Sequence, residues 1–346
     1  MRAWPAVTIA IPTYNRIAYI RQAVQSALLQ SYPAIEVIVS DNCSDDGTAE
    51  AVSALRDPRL VFLRQKKNLG MIGNWNACLE RASGDFFLLL SDDDLLESQA
   101  IEKMVGAIVD VPEPDRVGVC YARTWLIGAR GQKLGLEPIP PRCEDALAFG
   151  PEYFAGRRPI YPVCTLVRTA DLRRIGGYNQ GSVTLAVDAI AFSRILLERG
   201  LIVGVPEAVA YYRIHPASAS SSSPIGMWQS DIRALIALWS AAFESSPRMV
   251  RRRLQRAAMR YESWNIAANI NKSADSWRTR LGAISAYYSC RSSFPGLIGK
   301  CNWVGGVIKL LLPELLKRQL RSFVLWRRKP ALARCGGGLA HNRPAA

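Results

Sequence analysis

Phe86-Phe87-Leu88-Leu89-Leu90-Ser91-Asp92-Asp93-Asp94 decides how this chain is read: five apolar residues in a row, then a serine and three aspartates. A short apolar run bounded by polar residues fits a strand buried on both faces. Three adjacent carboxylates at its end repel one another and raise one another's pKa, so the cluster calls for a cation. Oxygen ligands without cysteine suit Mg²⁺ or Mn²⁺, which keep waters and bridge to substrate phosphates. The competing reading is a solvated turn in which the aspartates cap the next helix.

Upstream of this run the same rhythm of strand then helix repeats. Strands are predicted at Val7 to Ile11, Ile35 to Val39 and Leu60 to Leu63, and downstream at Val117 to Tyr121. Ile17, Ile20, Val24, Ala27 and Leu28 recur at helical spacing, and further helices are predicted over Thr48 to Leu55, Asn74 to Ala82 and Ser98 to Val109. Alternating strands and helices imply an α/β fold with a mostly parallel sheet. Tyr14-Asn15, Asp41-Asn42, Lys66-Lys67-Asn68 and Asp92-Asp93-Asp94 each follow one of the first four strands. Segments that leave the carboxyl edge of such a sheet converge on one ligand crevice.

From 122 to 160, Gly and Pro are frequent, and loops over the crevice are expected. Regular structure is predicted to resume with a strand at Pro162 to Val167, a turn at Gly176-Gly177, a helix at Asp188 to Arg199, and one or two strands from Leu201 to Ile214. The serine-rich stretch Ser218 to Ser223 reads as a linker. It divides a domain at 1–224 from a mainly helical module at 225–330 and a disordered tail at 331–346.

Those modules differ in charge. Residues 1–224 hold 23 Lys and Arg against 24 Asp and Glu, whereas 225–346 hold 21 against 5, so the net +15 belongs to the last third. The helices predicted there (232–243, 248–267, 277–288 and 304–326) are flanked by Arg251-Arg252-Arg253 and Arg327-Arg328-Lys329. Basic amphipathic helices suit an anionic membrane surface. Lys309, Glu314 and Lys317 interrupt the best spanning candidate, so peripheral attachment is favoured over spanning. Helices packed on the first domain with a solvated basic face are the alternative. No nucleic-acid recognition motif accompanies the charge. Eight scattered cysteines without a Cys-x-x-Cys pair, and no apolar leader before Val7, lead to the expectation of a reducing, cytoplasmic location.

Four segments in order carry a resemblance: Ile11-Pro12-Thr13-Tyr14-Asn15, Val39-Ser40-Asp41-Asn42-Cys43-Ser44-Asp45-Asp46-Gly47-Thr48, Asn68-Leu69-Gly70 and Ser91-Asp92-Asp93-Asp94. Together they resemble the inverting family-2 glycosyltransferases of the GT-A fold, over about residues 6–215. The resemblance implies a nucleotide-diphosphate sugar as donor, UDP-sugars favoured, and a glycan or lipid-linked acceptor in surface polysaccharide biosynthesis. It places Pro12, Thr13, Tyr14 and Asn15 beside the nucleoside and Asp41 on the base, with Lys67, Asn68 and Asn74 lining the same pocket. Asp93 is the expected metal ligand, Asp92 meets ribose or a metal-bound water, and Asp94 supports the shell. Tyr212-Arg213-Ile214-His215-Pro216 resembles the segment that closes the domain near the diphosphate, so Arg213 is expected to pair with phosphate and His215 to complete the metal shell or hydrogen-bond a phosphate. The family sets its base at a helix start after a Gly-Gly-aromatic turn; Gly176-Gly177-Tyr178 and the helix after Val187 make Asp188 that candidate. Ser91 and Val187 stand where many relatives carry acids, which keeps a non-catalytic nucleotide-sugar sensor or scaffold open as a second reading. No Gln-x-x-Arg-Trp occurs, so one sugar per acceptor is expected. A dehydrogenase or nucleotidyltransferase would need a Gly-rich loop where Pro12-Thr13-Tyr14-Asn15 stands.

Overall fold

The computed structural model describes residues 4–215, Ser218 and 225–273. The chain divides into two compact units, residues 1–265 and 266–346. The helices predicted over 277–288 and 304–326, the tail, and most of the serine linker lie outside the described residues.

The first half alternates as predicted: β1 (Val7–Thr13), α1 (Ile20–Leu28), β2 (Ile35–Asp41), α2 (Thr48–Ser53), β3 (Leu60–Arg64), α3 (Gly70–Arg81) and β4 (Phe86–Leu89). β5 (Leu95–Leu96), α4 (Ala100–Val109), β6 (Val117–Gly128), β7 (Lys133–Leu136) and β8 (Cys143–Asp145) follow. Next come α5 (Ala146–Phe154), β9 (Thr165–Arg168), α6 (Thr169–Arg174), α7 (Val187–Arg199) and β10 (Leu201–Ile214). The last described helices are Ile225–Ala242 and Arg248–Ser273.

One ten-stranded sheet runs β3-β2-β1-β4-β9-β6-β10-β5, with β7 on β6 and β8 on β10. β3, β2, β1 and β4 are mutually parallel, β9 is antiparallel to both its neighbours, and β6 and β10 pair in parallel along most of their length. The parallel strands need crossover helices, and those helices cover the sheet. α1 lays Ile20, Ala23, Val24 and Ala27, one helical stripe, into the core with Val7, Ile9 and Ile11 of β1.

Two expectations are corrected. The stretch 122–160 is not loop: β6 runs on to Gly128, β7 turns back on it, and α5 begins at Ala146 with Asp145 capping it through the Leu147 N–H at 2.8 Å. Tertiary partners override the Gly-Pro signal there, since β10 continues beside β6 and Phe149 and Phe154 of α5 bury against Trp239. Pro162 to Val167 is likewise a 3₁₀ turn, Pro162–Cys164, ahead of the short β9, because proline cannot donate to a ladder.

Candidate functional site: a carboxylate-lined crevice on one sheet edge

β1 and β2 lie in register, Pro12 opposite Ser40 and Thr13 opposite Asp41, and Leu90 donates to the Ala10 carbonyl. Residues 13–15, 41–48 and 91–94 therefore leave the sheet on a common edge. Asn15 adopts a positive φ of 53°; its N–H donates to Ser44 Oγ at 2.9 Å and its side-chain oxygen accepts from the Asp45 N–H at 3.1 Å. Asp46 ties the two turns, accepting from the Ile17 and Thr48 N–H groups at 3.0 Å each. Gly47, at φ 88°, turns the chain into α2, a conformation that residues with a Cβ rarely take. Asn42, in the polar segment after β2, braces the next loop: its amide donates to Asn68 Oδ1 at 2.9 Å and accepts from the Leu69 N–H at 2.7 Å.

Asp41 closes β2 with no exposed surface. Its Oδ1 faces the Ser44 N–H at 3.3 Å, and its Oδ2 has no hydrogen-bond partner but lies 3.7 Å from the Arg64 guanidinium. An orphaned buried carboxylate oxygen is an acceptor waiting for a donor. Tyr14 stands beside it half-exposed, and Lys67 is exposed. Asn74 is placed otherwise than expected: it is buried, and its amide is taken up by Ser40 of β2, at 2.6 Å to the hydroxyl and 2.9 Å to the carbonyl.

The aspartates after β4 are gripped from the far side of the sheet by β10. The Arg213 N–H donates to Asp94 Oδ1 at 2.7 Å, and its guanidinium donates to the Asp93 carbonyl at 2.6 Å and to the carbonyls of Gly128 and Ala129. Arg213 is 3% exposed and stacks over Tyr19. It is thus a clamp on backbone carbonyls, and the expected phosphate contact finds its donors already committed. Two residues on, His215 Nε2 lies 2.8 Å from Asp93 Oδ2, both groups nearly buried. Arg16 lies 3.5 Å from Asp92. Burial, then the charge of Asp93, pushes the Asp92 carboxyl up to about 7, and Asp94 is raised well above the ordinary carboxylate range by the same two causes. Asp94 Oδ2 has no hydrogen-bond partner.

Carboxylates and an imidazole without thiols are the donor chemistry a divalent cation takes. Among the described residues no three Asp, Glu, His or Cys side chains form a ready-made cage. Asp93 and His215 offer two ligands on one side, and Mg²⁺ or Mn²⁺ ordinarily completes its shell with phosphate oxygens and water.

Asp188 opens α7 after the turn at Gly176-Gly177-Tyr178. Gly177 has φ 65°, and a Cβ there would stand 2.4 Å from Asn76 Oδ1, the atom that also accepts the Tyr178 N–H. α3 thereby pins the turn. Asp188 borders a small pocket with Phe149, Tyr153, Ile160, Phe192 and Leu196. Burial lifts its carboxyl to about 6, moderated by N–H groups at the helix start. Its charge in turn helps raise the hydroxyls of Tyr153 and Tyr178, which burial already pushes up. The chain thus brings Thr13, Tyr14, Asp41, Asp92, Asp93, Asp94, Arg213 and His215 to one edge, and sets Asp188 among aromatic residues on α5 and α7. Arg16 and Arg64 join the crevice without a sequence signal, since each is an ordinary polar residue until its partner is known.

An α/β sheet with a carboxylate crevice at the ends of β1, β2 and β4 is an architecture of the GT-A kind. The family model of glycosyl transferase family 2 matches residues 8–146. A relative assigned to teichuronic acid biosynthesis, the glycosyltransferase TuaG of Bacillus subtilis, is 35% identical over 64% of this chain and 84% of its own. The chain belongs to the family-2 glycosyltransferases. Against three other curated relatives it spans less than half their length, 47%, 34% and 21%. Among solved structures, S. aureus TarS residues 1–349 in complex with UDP shares the fold at a TM-score of 0.59 and 18% identity, covering 82% of this chain and 80% of that one. The mannosyltransferase PcManGT from Pyrobaculum calidifontis, in complex with GDP-Man and Mn²⁺, shares it at a TM-score of 0.51 and 16% identity, covering 95% and 89%.

Proposed function

We propose that this chain transfers one sugar, with inversion, from a nucleotide-diphosphate donor to a hydroxyl of a glycan or lipid-linked acceptor in surface polysaccharide biosynthesis. The observation that carries the reading is His215, just after β10, meeting Asp93, after β4, at 2.8 Å. The orphaned Asp41 Oδ2 at the end of β2 supports it, as an acceptor for the base on the same sheet edge.

Asp41 Oδ2 accepts a ring N–H of the base, uracil favoured, and Tyr14 lies against the nucleoside. Pro12, Thr13 and Asn15 shape that wall, Asn68 and Lys67 border it, and Asp92 meets ribose. Asp93 and His215 would hold Mn²⁺ or Mg²⁺, with Asp94 behind them, and a bound cation would neutralise the charge that grows on the departing diphosphate. Asp188 takes the proton of the acceptor hydroxyl as that oxygen bonds to the anomeric carbon and the bond to the diphosphate breaks. A carboxyl lifted toward 6 stays ionised at neutral pH and is a stronger base than an ordinary aspartate. Support for a glycan pathway comes from TuaG, and support for a nucleotide-sugar with metal from the ligands of the two fold neighbours. The basic last third suits work at an anionic membrane from the cytoplasmic side, with a lipid-linked acceptor. Among the described residues no helix is long and apolar enough to cross a membrane.

The test is UDP and GDP binding by calorimetry with and without Mn²⁺, followed by UDP release from UDP-sugars with an acceptor pool. Metal-dependent UDP binding with turnover lost in Asp188→Asn supports the transferase. Metal-dependent binding without turnover on any acceptor supports a sensor, and binding indifferent to EDTA and to Asp93→Ala overturns the metal bridge.

A further inference from the structure

The helix Ile225–Ala242 follows the domain that the family resemblance covers, yet it reaches back to the loop from which α7 springs. Asp231, on this helix, is 1% exposed. One oxygen of its carboxylate, Oδ2, accepts three successive backbone N–H groups: Thr184 at 3.0 Å, Leu185 at 2.6 Å and Ala186 at 3.0 Å. Ala186 is the residue before α7 and has no side chain with which to cap it. A buried carboxylate at that point fixes the three residues that lead into α7, and its charge lies by the positive end of the helix dipole. Asp188 stands two residues beyond.

The same helix is fastened to α7 further along. Trp239 Nε1 donates to Ser193 Oγ at 2.9 Å, and Trp239 is fully buried against Phe149 and Phe154 of α5. A Cβ on Gly150 would stand 2.5 Å from the Trp239 ring, so a glycine in α5 makes room for it. Two attachments on one helix, at Asp231 and at Trp239, therefore fix the start and the middle of α7. Only the first touches the backbone that sets where the Asp188 carboxylate lies.

We propose that Asp231 is a positioning residue for the transfer reaction: its carboxylate holds loop 184–186 so that Asp188 is presented to the acceptor hydroxyl. The proposal rests on Asp188 acting as the base. It has no part in gripping the donor, whose crevice is built from β1, β2, β4 and β10. The consequence is a split in kinetics: loss of Asp231 lowers kcat while the donor still binds.

The test uses the full chain as Asp231→Ala and Asp231→Asn, with UDP release from a UDP-sugar as the rate and calorimetric UDP binding with Mn²⁺ as the donor readout. A misplaced reacting group costs up to about 100-fold. Asp231→Ala is expected to lose about 10- to 100-fold in kcat with KM and UDP affinity within about twofold. Asp231→Asn keeps an oxygen at the nest without the charge and is expected to fall between Ala and wild type. Wild-type kcat in both folded variants overturns the proposal, and so does a loss in UDP affinity parallel to the loss in rate. If the alanine variant does not fold, the asparagine variant decides by the same two readouts. The outcomes also separate the two claims: Asp188→Asn inactive beside fully active Asp231 variants sinks only the positioning role, whereas turnover surviving in Asp188→Asn sinks the base assignment.

Discussion

His215 Nε2 stands 2.8 Å from Asp93 Oδ2, although 121 residues separate them in the chain. The pair joins the residue after β10 to the acid cluster after β4, and under the proposed function it would hold the cation. His215→Ala is expected to leave the fold intact, to weaken Mn²⁺-dependent UDP binding and to cut turnover about 10- to 100-fold, the usual range for disturbing a metal's surroundings. Calorimetry with Mn²⁺ and with EDTA checks this: equal affinity in both buffers for wild type would remove the metal from the site.

Asp188 carries two opposed consequences of one burial. As a base lifted to about 6, it must lose its proton to work, so kcat is expected to fall as pH drops through about 6. For stability the sign is reversed. A carboxyl whose folded pKa lies above its unfolded value contributes stability below the unfolded pKa, and loses that contribution as pH rises through about 6. Asp188→Asn should therefore be inactive yet more stable at pH 7 to 8, by on the order of 1–3 kcal/mol from about 1.4 kcal/mol per pKa unit. Thermal unfolding of both proteins across pH 5 to 8 measures it, and a variant less stable than wild type at pH 8 would contradict the burial argument.

Arg213 is expected to behave as a structural clamp. Arg213→Met leaves the carbonyls of Asp93 and Ala129 without their side-chain donor, and Gly128 with the Gly131 N–H alone, and should cost about 2–4 kcal/mol. Urea unfolding reads that loss directly. A phosphate-binding arginine would instead leave the midpoint unchanged and weaken UDP alone.

Asp41 Oδ2 and Arg64 make a base-selectivity prediction. Asp41→Asn replaces an acceptor by an amide that can donate, so UDP affinity is expected to fall by about tenfold or more, since a mismatched buried hydrogen bond costs 1–3 kcal/mol. Binding of UDP and GDP compared in the two proteins tests it; a loss equal for both nucleotides would assign Asp41 to scaffolding.

The α/β order was legible because its signals are local. β1 to β4 and the helices between them declare themselves through apolar runs and helical stripes, as with Ile20, Ala23, Val24 and Ala27, and the polar segments at the strand ends mark the crevice. The continuation of β6 to Gly128 and the start of α5 at Ala146 were not legible, because their stability comes from β10 and Trp239, far away in sequence.

By itself the sequence determined that a carboxylate cluster follows a buried strand, and that Asp41 and Asp93 follow strand ends, the edge where ligands meet α/β sheets; Asp188 was marked by resemblance. What each polar group does was decided by tertiary structure. Asn74 turned to Ser40, Arg213 to three carbonyls, and Asp231 reached three amides of another segment. The reason is physical: whether a side chain stabilises the fold or meets a ligand depends on which buried donors and acceptors remain unpaired once the chain has closed.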